Sequence, residues 1–233
     1  MDDDLRPASR LDIAAVAALL SEPARVSIVS ALMDGQARPA TELARIAGVS
    51  ASTGSEHLAL LTRGGLLRVD QHGRHRYHRL ANDGVARAFE SLSLLTTRPM
   101  RSASIDPGDA AFRRARTCYR HLAGELGVAL ADALMSRKLA RREGTRFVLT
   151  PAGQRTGTSL GLLEETDGLL DGRACLDWTE RRDHLAGPLG VSLTKGLLEL
   201  GWVRRKPGTR AVRVTVEGAR GLEASFGLSV QAG

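Results

Sequence analysis

Residues 41–61, TELARIAGVSASTGSEHLALL, carry two short helical patterns separated by a tight turn. The first helix is predicted over residues 39–47 and the second over residues 51–64, with Gly48-Val49-Ser50 as the turn. Ser50 is placed to cap the second helix, because its hydroxyl can accept a hydrogen bond from a free amide of the first turn. The second helix offers short polar side chains at its N-terminal end and an apolar face with Leu58 and Leu61. This pattern is typical of a helix that reads DNA with its polar end.

Further helices and one hairpin surround this pair. Apolar residues at helical spacing predict helices over 11–20 and 25–33 before it and over 83–95 after it. Two strands are predicted over 66–70 and 74–80, on either side of Gln71-His72-Gly73. Residues 98–112 contain two prolines and no periodicity, so they are predicted to be a linker after a first domain at 1–97.

The predicted hairpin is locally basic. Residues 63–79 contain five Arg and three His against one Asp. Arg74 and Arg76 alternate along one strand and therefore share a face, where they are predicted to contact the DNA backbone or the minor groove. The three histidines are not expected to bind a metal ion, because such spacing along one hairpin seldom gives ligands that converge.

Residues 20–80 resemble the DNA-binding domain of ArsR/SmtB-type repressors. The landmarks follow in the family's order: LSEPAR at 20–25, TELA at 41–44, GVS at 48–50, STGSEHL at 52–58, LL at 60–61, GLL at 65–67 and GRHRYHRL at 73–80. The resemblance implies a winged helix-turn-helix that dimerises and represses transcription from a partly palindromic operator on double-stranded DNA. The residues predicted to contact DNA are Ser50, Ser52, Thr53, Ser55, Glu56, His57, His72, Arg74 and Arg76.

The sequence departs from this family at the usual metal sites. Glu42-Leu43 is followed by Ala44 and Arg45, where metal sensors of this type often carry a Cys-x-Cys motif. Other sensors of this type place His and carboxylate ligands on the last helix of the domain. Here that helix, residues 85–95, contains no His and only Glu90 as an acidic residue. An unknown effector, a small molecule or an ion, is therefore expected to act on a C-terminal domain at 113–233.

The C-terminal part contains an internal repeat. HLAGELGV at 121–128 matches HLAGPLGV at 184–191 with an offset of 63, and Arg141-Arg142 matches Arg204-Arg205 at the same offset. Each copy is expected to run helix, tight turn, helix, hairpin, helix. The predicted fold class is mainly α with β-hairpin wings, α+β overall: a winged helix-turn-helix domain followed by two diverged winged-helix-like repeat units.

The candidate effector residues lie in this repeated part: Cys118, His121, Cys175, Asp177, Trp178, Glu180 and His184. Spacings of three and four predict that Cys118 with His121, and Glu180 with His184, share helix faces. Thiolate and imidazole suit a soft or borderline metal ion, and two thiols also suit reversible disulfide formation. Structural burial, a small-molecule pocket and a protein-binding surface are the alternatives. The repeat offset matches Cys118 with Arg181 and predicts no symmetric ligand set.

The net charge of +7 lies wholly in residues 98–233, because residues 1–97 carry eleven basic and eleven acidic side chains. The overall charge therefore does not mark residues 1–97 as the part that binds DNA.

The sequence also excludes several classes of protein. Enzymatic activity is not expected, since no phosphate loop, dinucleotide fingerprint or zinc-protease motif occurs. No apolar run approaches eighteen residues, the N-terminus is acidic, and two cysteines cannot build a disulfide framework. The sequence predicts a cytoplasmic protein with no membrane partner.

Overall fold

The computed structural model describes residues 10–73, 75–96, 107–165 and 170–233. The chain divides into two compact units, Met1–Phe89 (unit 1) and Glu90–Gly233 (unit 2). The division falls within a helix, eight residues before the predicted domain end at 97. Glu90 belongs to unit 2, where its Oε1 lies 2.7 Å from Nη2 of Arg210. A helix, α6 (Pro107–Arg114), occupies the last part of the segment predicted as a linker, and residues 97–106 lie outside the described parts.

Unit 1 is a bundle of helices with a hairpin. Its helices are α1 (Arg10–Leu19), α2 (Pro23–Ala31), α3 (Ala40–Ala47), α4 (Ala51–Arg63) and the start of α5 (Asp83–Leu94). The apolar faces of α2, α3 and α4 form its core, where side chains such as Ile28, Leu43 and Leu61 are fully buried. Gly48 ends α3 at a φ of 67°, a left-handed conformation that favours glycine and turns the chain into α4.

The hairpin consists of β2 (Leu67–His72) and β3 (His75–Leu80), paired antiparallel with His72 opposite His75. A third strand, β1 (Arg38–Pro39), pairs with β3, and the sequence pattern does not predict it. Arg38 anchors this strand, because its buried guanidinium lies 2.8 Å from the Asp34 carboxylate and also contacts Glu42. Helices and hairpin together form the predicted winged helix-turn-helix.

Unit 2 contains two consecutive runs of elements in the same order: strand, strand, helix, strand, strand, helix. The first run is β4 (Arg116–Cys118), β5 (His121–Ala123), α7 (Gly124–Ser136), β6 (Ala140–Glu143), β7 (Arg146–Leu149) and α8 (Pro151–Ser159). The second run is β8 (Asp171–Leu176), β9 (Asp183–Ala186), α9 (Gly187–Glu199), β10 (Val203–Arg205), β11 (Val212–Val214) and α10 (Val216–Phe226).

Each run opens with a hairpin, where the sequence predicts a helix and a tight turn. The chain reverses at Tyr119 and at Arg181, which adopt φ values of 63° and 56°, and a right-handed helix cannot continue through such residues. After each hairpin, a glycine begins the helix at positive φ. At Gly124 a Cβ atom would also lie 2.4 Å from the carbonyl oxygen of Arg113, so only glycine fits there.

The two runs of unit 2 share one core. Strand β7 pairs with β8, which joins β6–β7 and β8–β9 into one four-stranded antiparallel sheet. Arg116 of β4 likewise bridges Ala211, which directly precedes β11. Leu122 of the first run and Leu185 of the second belong to the same cluster of buried side chains. Strands of each run therefore pair with the other run, and the two runs do not form separate cores.

Helix length and composition bear on membrane crossing. In the parts of the chain that the structure describes, no single helix is long and apolar enough to cross a membrane. One pair bent by 89°, Ile13–Leu19 with Pro23–Ala31, passes that test when the two helices are taken together. The second of these helices packs in the core of unit 1 through Ala24, Ile28 and Val29.

Candidate DNA interface and candidate metal centre

The N-terminal end of α4 forms the first part of the candidate DNA interface. Ser50 caps the helix as predicted, since its Oγ accepts a hydrogen bond from the Thr53 amide at 3.2 Å. Ser52, Ser55 and Glu56 are exposed, whereas the leucines on the opposite face are buried. Free amides and the helix dipole at such an end favour phosphate groups. The exposed polar residues therefore stand where DNA can reach them.

Close packing against α3 holds α4 in place. At Gly54 an added Cβ would lie 2.6 Å from the Cβ of Ala44, a distance that two carbon atoms do not tolerate. Two of the predicted DNA-contacting residues, Thr53 and His57, are only partly exposed. Nδ1 of His57 is buried and has no hydrogen-bond partner among the described residues. These two residues are less accessible than Ser52, Ser55 and Glu56.

The β2–β3 hairpin forms the second part of the candidate interface. Arg76 is exposed, whereas Arg79 pairs with Asp70 at 2.9 Å. His78 is buried, and this burial, followed by the positive charge of Arg76, lowers the pKa of His78. Arg74 and the side chain of His72 lie outside the described residues, so their DNA contacts stay predictions.

Four side chains of unit 2 form the candidate metal centre: Cys118, His121, Cys175 and His184. Cys118 lies opposite His121 in the hairpin β4–β5, and Cys175 lies opposite His184 in the hairpin β8–β9. One ligand atom from each residue lies within 4.8 Å of the other three. The two histidines meet between the hairpins, with their Nε2 atoms 3.1 Å apart. Two thiols and two imidazoles are a common ligand set of four-coordinate zinc sites.

A buried ion pair lies behind His184. Oδ1 of Asp177 lies 2.6 Å from Nη2 of Arg116, and both side chains are at most 1% exposed. Oδ2 of Asp177 accepts a hydrogen bond from the Gly124 amide at 2.8 Å and lies 3.4 Å from Nδ1 of His184. Burial by itself raises the pKa of Asp177, but His184, Arg116 and the Gly124 amide outweigh it and hold that pKa well below its usual range. The carboxylate is therefore charged and lies against the imidazole.

The two thiols of the cluster are coupled to each other. The contact with Cys175, followed by burial, raises the pKa of Cys118 to about 11, and the contact with Cys118 lowers the pKa of Cys175. Glu90 raises the pKa of Cys118 further, since its Oε2 lies 3.9 Å from Sγ. A metal ion that binds both sulfurs as thiolates would have to displace the protons of the two thiols.

Known proteins resemble this chain both locally and over nearly its full length. The family model described as a helix-turn-helix domain matches residues 20–70. YdfF of Bacillus subtilis (strain 168), an uncharacterized HTH-type transcriptional regulator, is 38% identical over 223 residues, covering 94% of this chain and 99% of that protein. The chain belongs to the HTH-type transcriptional regulators.

Two further proteins are similar to parts of this HTH-type regulator. HTH-type transcriptional regulator Rv0324 of Mycobacterium tuberculosis is 30% identical over 134 residues, covering 54% of this chain and 58% of that protein. A solved structure from Mycobacterium bovis is the homodimeric winged helix-turn-helix DNA-binding domain of a possible ArsR-family regulator. It is 26% identical with a TM-score of 0.36, covering 43% of this chain and 98% of that domain. The residues that carry the ArsR/SmtB resemblance, 20–80, include the segment matched by the helix-turn-helix family model.

Two of the predicted effector residues of this regulator, Trp178 and Glu180, lie beside the cluster rather than in it. The guanidinium carbon of Arg116 stands 5.6 Å from the ring centroid of Trp178. The carboxylate of Glu180 lies 2.9 Å from the hydroxyl of Thr179. The backbone amide of Glu180 donates a hydrogen bond to Oδ1 of Asp177. Both residues belong to the surroundings of the Arg116–Asp177 ion pair.

The predicted helix faces in this part of the chain are wrong, because Cys118, His121 and His184 lie on hairpin strands and Glu180 lies in a hairpin loop. The prediction that the repeat offers no symmetric ligand set is wrong as well. Cys118 and Cys175 take equivalent positions opposite the two repeated histidines, although one pair is separated by three residues and the other by nine. The sequence does carry a signal for this pairing: a cysteine precedes each repeated HLAG, and turn residues lie between the cysteine and the histidine.

Proposed function

We propose that this HTH-type regulator is a homodimeric repressor that binds a partly palindromic operator on double-stranded DNA. The observation that carries the proposal is the exposed polar N-terminal end of α4, held from behind by buried leucines. Such a helix enters the major groove with its first turns, where the base pairs differ in their hydrogen-bonding groups. In the proposed complex Ser52, Ser55 and Glu56 face base edges, and Arg76 contacts the phosphate backbone.

Helix α1 supports the dimer. Residues 13–18, IAAVAA, are all apolar and all exposed, and Ile13 alone is 72% exposed. A contiguous apolar surface in water marks an interaction site. In the proposed dimer this surface packs against α1 of a second copy, and the two-fold symmetry sets the two half-sites about one helical turn apart.

The effector of the proposed repressor acts through unit 2. Residues 41–45 and 85–95 lack the ligands of the family's usual metal sites, whereas the Cys/His cluster lies in unit 2. A metal ion is the effector that this cluster favours. Thiol oxidation is the second candidate, because Cys118 and Cys175 are both free. The proposed repressor binds DNA and has no enzymatic activity. Such a protein would act in the cytoplasm, the location that the sequence predicts.

Operator binding tests the proposed function. Genomic footprinting with the purified chain identifies the operator, and fluorescence anisotropy then gives its affinity at several salt concentrations. Arg76→Ala should weaken binding to all DNA sequences and reduce the slope of log affinity against log salt by about 1, because one phosphate contact is lost.

The matched control for this experiment is Arg155→Ala, which removes an exposed arginine of unit 2 and should leave affinity and slope unchanged. Equal behaviour of the two variants would exclude the hairpin from the interface. Absence of any preferred genomic site would refute the operator itself.

A further inference from the structure

We propose that Cys118, His121, Cys175 and His184 are the four ligands of a closed metal site for Zn²⁺ or a similar thiophilic divalent ion. The ligand identity of the site follows from unit 2 alone. Its role as the place where the repressor senses an ion rests on the proposed function. Three observations carry the assignment: the distances between the ligand atoms, the way the two hairpins are held together, and the carboxylate behind His184.

The distances already approach those of a tetrahedral site. With Zn–N bonds of about 2.0–2.1 Å, two coordinated nitrogens lie about 3.3 Å apart, and with Zn–S bonds of about 2.3 Å two sulfurs lie about 3.8 Å apart. The two Nε2 atoms are 3.1 Å apart, and no pair of ligand atoms is separated by more than 4.8 Å. Small side-chain movements therefore suffice to close the site around one ion.

The backbone holds the two hairpins at this distance. Helix α7 contacts the second hairpin and α9 contacts the first: a Cβ added to Gly127 would lie 3.6 Å from the Cβ of His184, and one added to Gly190 would lie 3.2 Å from the Cβ of His121. Each helix also approaches its own strand so closely that a Cβ on either glycine would meet a backbone carbonyl within 2.6 Å. The site is thus built by packing of the core and not by mobile loops.

The surroundings suit a divalent cation. Two thiolates neutralise the charge of the ion, and the Asp177 carboxylate is already balanced by Arg116 at 2.6 Å. Oδ2 of Asp177 lies 3.4 Å from Nδ1 of His184, so the carboxylate favours the tautomer that leaves Nε2 free to bind the metal. The imidazole of His184 is almost fully buried, which excludes water from that side. Four protein ligands leave no open position, so the site binds an ion without turning over a substrate.

Cobalt titration of the reduced, chelator-treated full chain tests the site. One equivalent of Co²⁺ should produce the intense visible absorption of tetrahedral cobalt together with thiolate-to-metal charge transfer. Addition of Zn²⁺ should then bleach the visible bands. Cys118→Ser, Cys175→Ser and His121→Gln should each weaken metal binding by more than about 100-fold, since even the loss of a group behind the ligands costs about 10–100-fold. His75→Gln, a histidine outside the cluster, is the matched control and should bind like the wild type.

A measurement on the wild-type chain keeps the test independent of how the variants fold. The chain has two cysteines, and one equivalent of Zn²⁺ should protect both thiols from a thiol reagent that modifies them in the metal-free chain. Thiols that stay reactive, or cobalt spectra of octahedral type, would overturn the metal site. A Cys118–Cys175 disulfide formed on mild oxidation, with no metal uptake by the reduced chain, would overturn it in favour of thiol oxidation.

Operator affinity in the same samples separates the two proposals. Metal uptake that changes operator affinity supports both the site and the sensing role. Stoichiometric metal uptake with unchanged operator affinity supports the site and refutes the ion as the effector. Operator binding without metal uptake refutes the site and leaves the repressor standing.

Discussion

Replacing Asp177 with Asn tests how much stability unit 2 loses when the buried Arg116 guanidinium is left without its counter-charge. The Asp177 oxygens accept five hydrogen bonds, from Arg116 Nη2, the amides of Gly124, Thr179 and Glu180, and the hydroxyl of Thr179. The asparagine amide keeps the shape but turns one of the two acceptors into a donor. In either orientation its NH₂ group faces an N–H donor, and the guanidinium of Arg116 loses its counter-charge while only 1% exposed.

The expected magnitude follows from this geometry. Removing one partner of a buried ion pair costs about 3–5 kcal/mol, because a buried charge is left without compensation. The retained carbonyl oxygen keeps part of the hydrogen bonding, so the cost should fall near the lower end, about 3 kcal/mol. For a domain of this size 1 kcal/mol shifts Tm by roughly 2–4 °C, so the Tm of unit 2 should fall by about 6–12 °C.

Tryptophan fluorescence of the full chain measures unit 2 alone, since both tryptophans, Trp178 and Trp202, belong to it. Guanidinium unfolding with a chelator present gives the free energy of unfolding for each variant. Asp132→Asn is the matched control: Asp132 pairs with Arg182 at 2.6 Å, but both side chains are more than half exposed, so its loss should cost at most about 1 kcal/mol. If the two substitutions cost the same, burial adds nothing to the cost of losing the counter-charge of Arg116, and the reasoning is refuted.

Three further predictions concern unit 1. Gly54→Ala should lower the melting temperature measured by circular dichroism, because its Cβ meets that of Ala44, and Ala44→Gly in the same chain should restore part of the loss. An unchanged melt for the single variant would show that α3 and α4 have room to separate. Proton NMR should find the pKa of His78 below its usual value of about 6.5, since burial and then Arg76 lower it. Stability should then decrease as pH falls through 6.5, because only the unfolded chain takes up that proton, and this loss should be absent in His78→Gln. Ile13→Glu should give monomers in analytical ultracentrifugation, and a variant that stays dimeric would place the dimer surface elsewhere.

Local sequence patterns predict the helices and the hairpin of unit 1. The cap at Ser50, the left-handed turn at Gly48 and the apolar spacing of α4 involve residues a few positions apart, so a local pattern is enough to predict them. Strand β1 escaped prediction because two residues carry no periodicity. Arg38 is buried there through contacts with the Asp34 and Glu42 carboxylates and the carbonyl oxygen of Ala31.

The site in unit 2 depends on contacts between residues that are distant in the sequence. The sequence supplied the residue types and the repeated HLAG, but the two cysteines are 57 positions apart and their spacings to the histidines differ. What brings them together is the pairing of strands from different runs and the close approach of Gly127 and Gly190 to the opposite hairpins. Such contacts join residues far apart along the chain. They leave no periodic trace in the local sequence, and they form only when both runs fold into one core.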